Sequence, residues 1–449
     1  MDDSICALAT PMGSGGIAVI RVSGRDCIAE SKSLFSKNIE KMIANSVRYM
    51  TINDRQGDLI DDVLVSVFHG PNSFTGENQI EISCHCNRLI IESILSELNR
   101  LGIRLAEAGE FSKRAFLNGK MDLAQAEAIA DLIASNNHYS LKNSRNILEG
   151  KLSKIVSQMR EQMLKIAGLL EIDLDFTEED LDIVDLQKVD QRIDESIKTI
   201  ESFVRQSDAM RFINEGIKLS IVGRPNAGKS SLLNALLGRE RAIVSDIEGT
   251  TRDTIEESIS LDGITVRLID TAGIRQSDDQ IEKIGVEYSY RSIEKSDCVI
   301  ILIDSQKEIH VDDQAIIDKC AAEQKRFVIA FNKTDLVNAP QSDSLDAIAV
   351  SAKTGIGLDL LKERIKALYQ IDQIEANDDL VISNLRHDLA LRNAVEHLKR
   401  AKTAIVNKAG NEIISVDIRQ ALDELATVTG EISSEDVLND IFLNFCIGK

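Results

Sequence analysis

Proline is scarce in this chain of 449 residues: Pro11, Pro71, Pro225 and Pro340 are the whole set, and none falls between 120 and 210. Without that breaker, the middle of the chain is free to run as long helices. No stretch of roughly 18 uncharged apolar residues occurs, which excludes a membrane-spanning helix. The opening MDDSICALATPMG has neither a basic n-region nor a long apolar run, so no secretory leader is expected. Seven cysteines, an odd number without regular spacing, exclude a disulfide framework and point to reduced thiols in a cytoplasmic compartment. Positive charge is also in short supply: 52 Lys and Arg face 73 Asp and Glu, a formal net charge of −21. That excludes a general polyanion binder, because nucleic acid is held largely by phosphate neutralisation. The deficit is uneven. Residues 1–120 hold 13 basic against 15 acidic residues, whereas residues 171–210 hold 4 against 13. Any RNA contact would run through local basic patches. The acidic run EIDLDFTEEDLDIVD has no histidine and no calcium-loop glycine, and reads as a solvated helix junction.

The length exceeds what one hydrophobic core supports, so roughly two to four domains are expected. The proline-free stretch from MDLAQAEAIADLI to KIAGLLEI spaces apolar residues by three and four, as amphipathic helices do. The segment NLRHDLALRNAVEHLKRAKTAI has the same texture. Between these blocks, apolar runs of β type (IKLSIVG, VRLID, CVIILID, RFVIAFNKTD, AIAVSAK) alternate with helical segments. That alternation is the signature of a parallel sheet covered by helices. The simplest organisation is an α+β N-terminal domain (1–118), an all-α helical domain in two parts (119–211 and 376–449), and an α/β domain (212–375) inserted between those parts.

The inserted domain carries the motifs of a Ras-like P-loop GTPase (G domain). GRPNAGKSS follows a strand and contains Gly223-x-x-x-x-Gly228-Lys229-Ser230, in which backbone N–H groups close around phosphates. Lys229 would neutralise the β- and γ-phosphates, and the Ser230 hydroxyl would reach Mg2+. Four further elements follow in order. GTTRD supplies Thr251 as a second hydroxyl on Mg2+. DTAG supplies Asp270 toward Mg2+ and the Gly273 amide toward the γ-phosphate. NKTD supplies Asp335 for guanine N1 and N2, with Asn332 fixing the loop. SAK, Ser351 to Lys353, supports the base from the other side. The nucleotide set is Gly223, Asn226, Ala227, Gly228, Lys229, Ser230, Ser231, Ser245, Asp246, Ile247, Glu248, Gly249, Thr250, Thr251, Asp270, Thr271, Ala272, Gly273, Asn332, Lys333, Asp335, Ser351, Ala352 and Lys353. Ile274 stands where Ras-like enzymes place a glutamine that orients water. An aliphatic side chain cannot do this, and the nearest polar candidates are Asp278, Asp279 and Glu282. No arginine finger is obvious; Arg224 and Arg252 read as surface or switch-loop residues.

The flanks are more particular. DSICALATPMGSGGIAVIRVSG, GPNSFTGENQIEISCH, EAGEFSKRAFLNGKMDLAQAEAIADLI, DTAGIR with IEKIGVE, and the ending FCIGK span the whole chain. With these motifs the chain resembles the MnmE (TrmE) family of tRNA uridine-modifying GTPases found in bacteria and mitochondria. The resemblance implies a homodimer whose N-terminal domain binds a tetrahydrofolate one-carbon derivative (5-formyl or 5,10-methylene). It implies an FAD- and NADH-using partner, in a heterotetramer or larger complex. Together they install an aminomethyl or carboxymethylaminomethyl group on C5 of the wobble uridine of certain tRNAs. Carried over by motif, the folate site comprises Arg21, Glu81 and Lys120, with Lys449 near by. The K+ site comprises Asn226, Ser245, Ile247 and Thr250, and Glu282 positions the catalytic water.

Two departures stand out. His85-Cys86-Asn87 replaces the family's HGG, which puts the local backbone in question, and Thr177 replaces a proline in the acidic junction. Cys84 and Cys86 alternate on one strand face, with no second Cys/His pair to complete a zinc site. Cys446, three residues from the end, is either packing or chemistry. A terminal tail is hard to bury, and Gly448 and Lys449 read as a flexible joint and a cation able to lower a thiol pKa. The chemical reading makes Cys446 a nucleophile or a thiol near the folate. Two other classes compete with the modifying enzyme. One is a ribosome-assembly or signalling switch, which would carry an RNA-binding module such as a KH domain. The other is a folate-binding regulator.

Overall fold

A computed structural model of the chain describes residues 3–13, 15–135, 137–175, 185–239, 257–261, 264–269, 284–337, 346–369, 380–443, 445 and 448. These form two compact units. The first contains residues 1–134, 144–194 and 393–449, and the second contains residues 135–143 and 195–392.

The first unit holds a six-stranded sheet in the order β3-β4-β5-β2-β1-β6. Its strands are β1 (Ile5–Leu8), β2 (Ile17–Ser23), β3 (Ser46–Asn53), β4 (Leu59–Phe68), β5 (Gln79–His85) and β6 (Arg104–Leu105). β2, β4 and β5 are the strands expected from GGIAVIRVSG, DDVLVSVFHG and QIEISCHC. Alternation along them decides both faces. Ala18, Ile20 and Val22 of β2, with Ile80, Ile82 and Cys84 of β5, point into one buried cluster. The residues between them, Arg21 and Glu81 among these, face the other side. Short α1 (Cys27–Ser31) adds Cys27 and Ile28 to that core. Helix α2 (Arg88–Arg100) covers the sheet with Ile91, Ile94 and Leu98, spaced by three and four.

The remaining helices of this unit include α3 (Glu110–Leu117), α4 (Leu123–Ala134), α6 (Lys151–Asp175), α13 (Asn411–Thr429) and α14 (Glu435–Leu443). α6 and α13 pack along one another. Phe442 and Phe445 close against Leu123 and Ala126, with Phe116 beside them. Helices α5 (His138–Leu148), α7 (Leu186–Glu215) and α12 (Leu385–Val406) have residues in both units.

The second unit is a six-stranded sheet in the order β12-β11-β10-β7-β9-β8. Strands β7 (Ile217–Val222), β9 (Ile264–Leu268), β10 (Cys298–Asp304), β11 (Arg326–Asn332) and β12 (Ala347–Ala349) are parallel to their neighbours. Only β8 (Glu257–Leu261) runs against β9. The unbroken apolar run of β10 is explained by burial on both faces. Cys298, Ile300 and Leu302 enter one core, whereas Val299, Ile301 and Ile303 enter the other. Helices α8 (Lys229–Arg239), α9 (Ile284–Lys295), α10 (Val311–Ala322) and α11 (Leu358–Leu368) complete the α/β arrangement. This is the parallel sheet expected from the sequence. Among the described residues no helix is long and apolar enough to cross a membrane.

Candidate active site and a second polar site

The C-terminal end of β7 runs directly into the phosphate-loop sequence, and α8 starts at Lys229. The loop is built for close approach. A Cβ on Gly228, at φ +95°, would lie 2.2 Å from Asn332 Nδ2. Only glycine lets the two loops touch there. The Asn332 amide donates to the Ala227 carbonyl at 2.8 Å and accepts from the Ala352 N–H at 3.0 Å. One buried side chain thus ties NKTD to both the phosphate loop and SAK. The Ser351 hydroxyl donates to Asp335 Oδ1 at 2.7 Å, and the Thr334 hydroxyl donates to the Val350 carbonyl at 2.9 Å. Ser351 therefore orients Asp335 directly. Lys353 is exposed.

Lys229 Nζ donates to the carbonyls of Gly223 at 2.7 Å and Arg224 at 3.1 Å. Burial pushes its pKa down, so an arriving phosphate anion restores what its charged form has lost. Ser230 is half-buried in the first turn of α8, Ser231 is exposed, and Asn226 is exposed at φ +65°. Ser245, Asp246, Ile247, Glu248, Gly249, Thr250, Thr251, Asp270, Thr271, Ala272, Gly273 and Glu282 lie outside the described residues, as do Thr177, Cys446 and Lys449.

In the first unit, register makes a second site. Arg21 of β2 pairs directly with Glu81 of β5. Arg21 Nε and Nη2 both donate to Glu81 Oε1, at 3.0 and 2.9 Å. The guanidinium carbon lies 5.5 Å from the Phe74 ring centre and 5.8 Å from that of Phe111. Its Nη1 donates to the Gly448 carbonyl at 3.3 Å. The C-terminal residues that the structure describes are therefore held. Phe445 is 8% exposed, and a Cβ on Gly448 would lie 2.4 Å from the Leu8 carbonyl oxygen. Gly448 serves close packing at φ +93°, which corrects its reading as a flexible joint. Lys120 Nζ donates to the Pro71 carbonyl at 2.8 Å. It thus holds the loop that carries Phe74, beside Gly76. Among the described residues no cluster of three His, Cys, Asp or Glu could hold a metal ion, and Cys84 is buried in the apolar core.

Two family models match the chain. The MnmE helical domain matches residues 123–446, and the N-terminus of GTP-binding protein TrmE matches residues 4–120. The tRNA modification GTPase MnmE of Natranaerobius thermophilus is 41% identical over 459 residues, covering 100% of both chains. That of Acetivibrio thermocellus is 38% identical over 458 residues, covering 100% of this chain and 99% of its own. The chain belongs to the MnmE family of tRNA modification GTPases. Among solved structures, the G domain of the T. maritima FeoB iron transporter aligns with 34% of this chain and 98% of its own, at 28% identity and TM-score 0.25.

The family's HGG position is occupied here by three residues with local partners. The His85 N–H donates to Asp61 Oδ2 at 2.8 Å, and its ring Nδ1 lies 2.7 Å from Asp61 Oδ1. Asn87, at φ −125°, caps α2 by accepting from the Leu89 N–H at 2.9 Å. Cys86 Sγ lies 3.3 Å from the Gly13 carbonyl. None of the three has positive φ, so the backbone there does not require glycine. The sequence reading missed Phe74, Phe111 and the Gly448 carbonyl around Arg21, and Asp304 beside Lys333. The only signal was position: Phe74 and Phe111 sit inside the quoted family motifs, and Asp304 ends the strand CVIILID.

Proposed function

We propose that this chain is a K+-dependent GTPase that works with an FAD- and NADH-using partner. Together they place an aminomethyl or carboxymethylaminomethyl group on C5 of the wobble uridine of certain tRNAs. The carbon comes from a tetrahydrofolate one-carbon derivative, 5-formyl or 5,10-methylene. Family membership supports GTP hydrolysis in tRNA modification. The observation that carries the nucleotide site is the Asn332–Ala227 hydrogen bond, which makes the base-reading loop and the phosphate loop one surface. GTP would lay its phosphates on the loop amides at the start of α8. Lys229 would leave the Gly223 and Arg224 carbonyls for the β- and γ-phosphate oxygens, and Asp335 would accept from guanine N1 and N2.

The donor types fit hard cations, since hydroxyl, amide and backbone carbonyl oxygens suit them. Ser230 and Thr251 would hold Mg2+, which neutralises phosphate charge when bound. Asn226, Ser245, Ile247 and Thr250 would hold K+, which supplies the positive charge that a finger arginine gives elsewhere. Glu282 positions the attacking water that Ile274 cannot. Arg21, Glu81, Lys120 and Lys449 suit a folate, whose glutamate tail takes cations and whose pterin N–H groups take a carboxylate. The pairing of Arg21 with Glu81 beside two aromatic rings supports that assignment. Cys446 serves the modification step. The chain acts as a cytoplasmic homodimer, in a heterotetramer or larger complex with its partner.

Mass analysis of wobble nucleosides from cells lacking the gene tests this reading. Loss of the C5-modified uridine is expected. Unchanged wobble nucleosides would favour the competing reading, a ribosome-assembly or signalling switch.

A further inference from the structure

Lys333 of NKTD is held in an uncommon conformation. Its φ is +68°, in the left-handed region that side chains other than glycine seldom occupy. Such strain persists only where the surroundings over-determine it. Here they do. Parallel pairing of β10 and β11 sets Asp304 opposite Asn332 at the C-terminal ends of both strands. Lys333 Nζ donates to Asp304 Oδ2 at 2.7 Å, and the Asp304 side chain is 9% exposed. The other oxygen, Oδ1, accepts from the Gln306 N–H at 3.0 Å. The Ser305 N–H donates to the Asn332 carbonyl at 2.9 Å. Asp304 is therefore fixed on its own strand and grips Lys333, the first of the two residues between Asn332 and the base-reading Asp335.

We propose that Asp304 is a positioning residue for guanine recognition. By holding Lys333 in the left-handed conformation, it helps to aim the Asp335 carboxylate, together with the Ser351 hydroxyl and the Thr334 bond to Val350. Removing the Asp304 charge takes away one of the restraints on Lys333, which loosens the turn there and lets Asp335 swing from the base edge. This inference rests on the reading of Asp335 as the guanine acceptor.

The test compares GTP with ITP, which lacks the 2-amino group that Asp335 would accept from. Asp304→Asn keeps the size of the side chain and its acceptor for Gln306, and loses the charge. In the full-length wild-type protein, GTP should bind more tightly than ITP. In Asp304→Asn that preference should shrink by roughly tenfold, about 1.4 kcal/mol, with turnover at saturating GTP falling less than affinity does. Lys333→Ala should reproduce the loss, and the double variant should add little to it. A uniform loss of affinity for both nucleotides, or an unchanged GTP/ITP ratio, overturns the proposal. Equal binding of GTP and ITP by the wild type would instead overturn the Asp335 reading itself.

Discussion

The side-chain amide of Asn332 donates to the backbone carbonyl of Ala227 at 2.8 Å, across 105 residues of sequence. Gly228 lies at the same junction, where an added Cβ would sit 2.2 Å from Asn332 Nδ2. Gly228→Ala should therefore lower GTP affinity by at least about tenfold, roughly 1.4 kcal/mol. Fluorescent-nucleotide titration measures it. Wild-type affinity in that variant would mean the two loops part without consequence.

Hydrolysis should depend on K+. Asn226 is exposed on the phosphate loop, and Ile274 replaces a water-orienting glutamine. Rates in K+ and in Na+ should differ by about tenfold or more, some 1.4 kcal/mol of barrier. Equal rates in the two salts would sink the assignment. Glu282→Ala should lower turnover with GTP affinity nearly unchanged.

The folate reading makes a calorimetric prediction. Arg21→Ala or Lys120→Ala should weaken binding of formyl- or methylene-tetrahydrofolate, with the protein still folding cooperatively in thermal unfolding. The Arg21 side chain is 18% exposed and that of Glu81 27%, and Arg21 also meets Phe74, Phe111 and the Gly448 carbonyl, so Arg21→Ala should lower the unfolding temperature more than Lys120→Ala does. No heat from the wild type with any reduced folate would remove the site.

Acid should destabilise the N-terminal unit through a buried ion cluster. Arg114, 1% exposed, binds Asp3, Glu77 and Glu110. Burial alone would raise the Glu110 carboxyl; hydrogen bonds from Arg104, the Glu107 N–H and Arg114 outweigh it and hold it below the usual carboxylate range. A folded pKa below the unfolded one gives stability that is present above the unfolded value and lost as pH falls through the folded value. Thermal unfolding followed from about pH 6 down to pH 3 should show that loss, and Glu110→Gln should flatten it. An identical acid profile in the variant would assign the loss elsewhere.

Cys446→Ser should abolish wobble modification and leave GTP hydrolysis, its K+ response and dimerisation intact. Five other cysteines are poor competitors for the role. Cys6, Cys27, Cys84, Cys298 and Cys320 are buried, and burial pushes Cys6, Cys27 and Cys298 up to about 12, far from a reactive thiolate. Normal accumulation of the modified nucleoside in the Cys446→Ser strain would leave the tail a packing element.

The sequence by itself determined the fold class, an α/β stretch between helical blocks behind an α+β N-terminal part, and the phosphate-loop motif at its first strand. A phosphate loop is a local object: its glycines, Lys229 and Ser230 are adjacent, and they work wherever a strand meets a helix. The alternation of IAVIRVS and QIEISCH likewise put Ile20 and Ile82 on the buried face and left Arg21 and Glu81 on the other. Only the tertiary structure decided what those residues meet. Arg21 touches Glu81 because antiparallel register sets them opposite each other, and it touches the Gly448 carbonyl, 427 residues away. Lys333 meets Asp304 because β10 and β11 are parallel neighbours in register. Gly448 reads as a flexible joint from its terminal position, yet it fits closely against Leu8. Such contacts join segments far apart in the chain. Strand order, register and packing fix them, and none of these is written in the spacing of residues along any one segment.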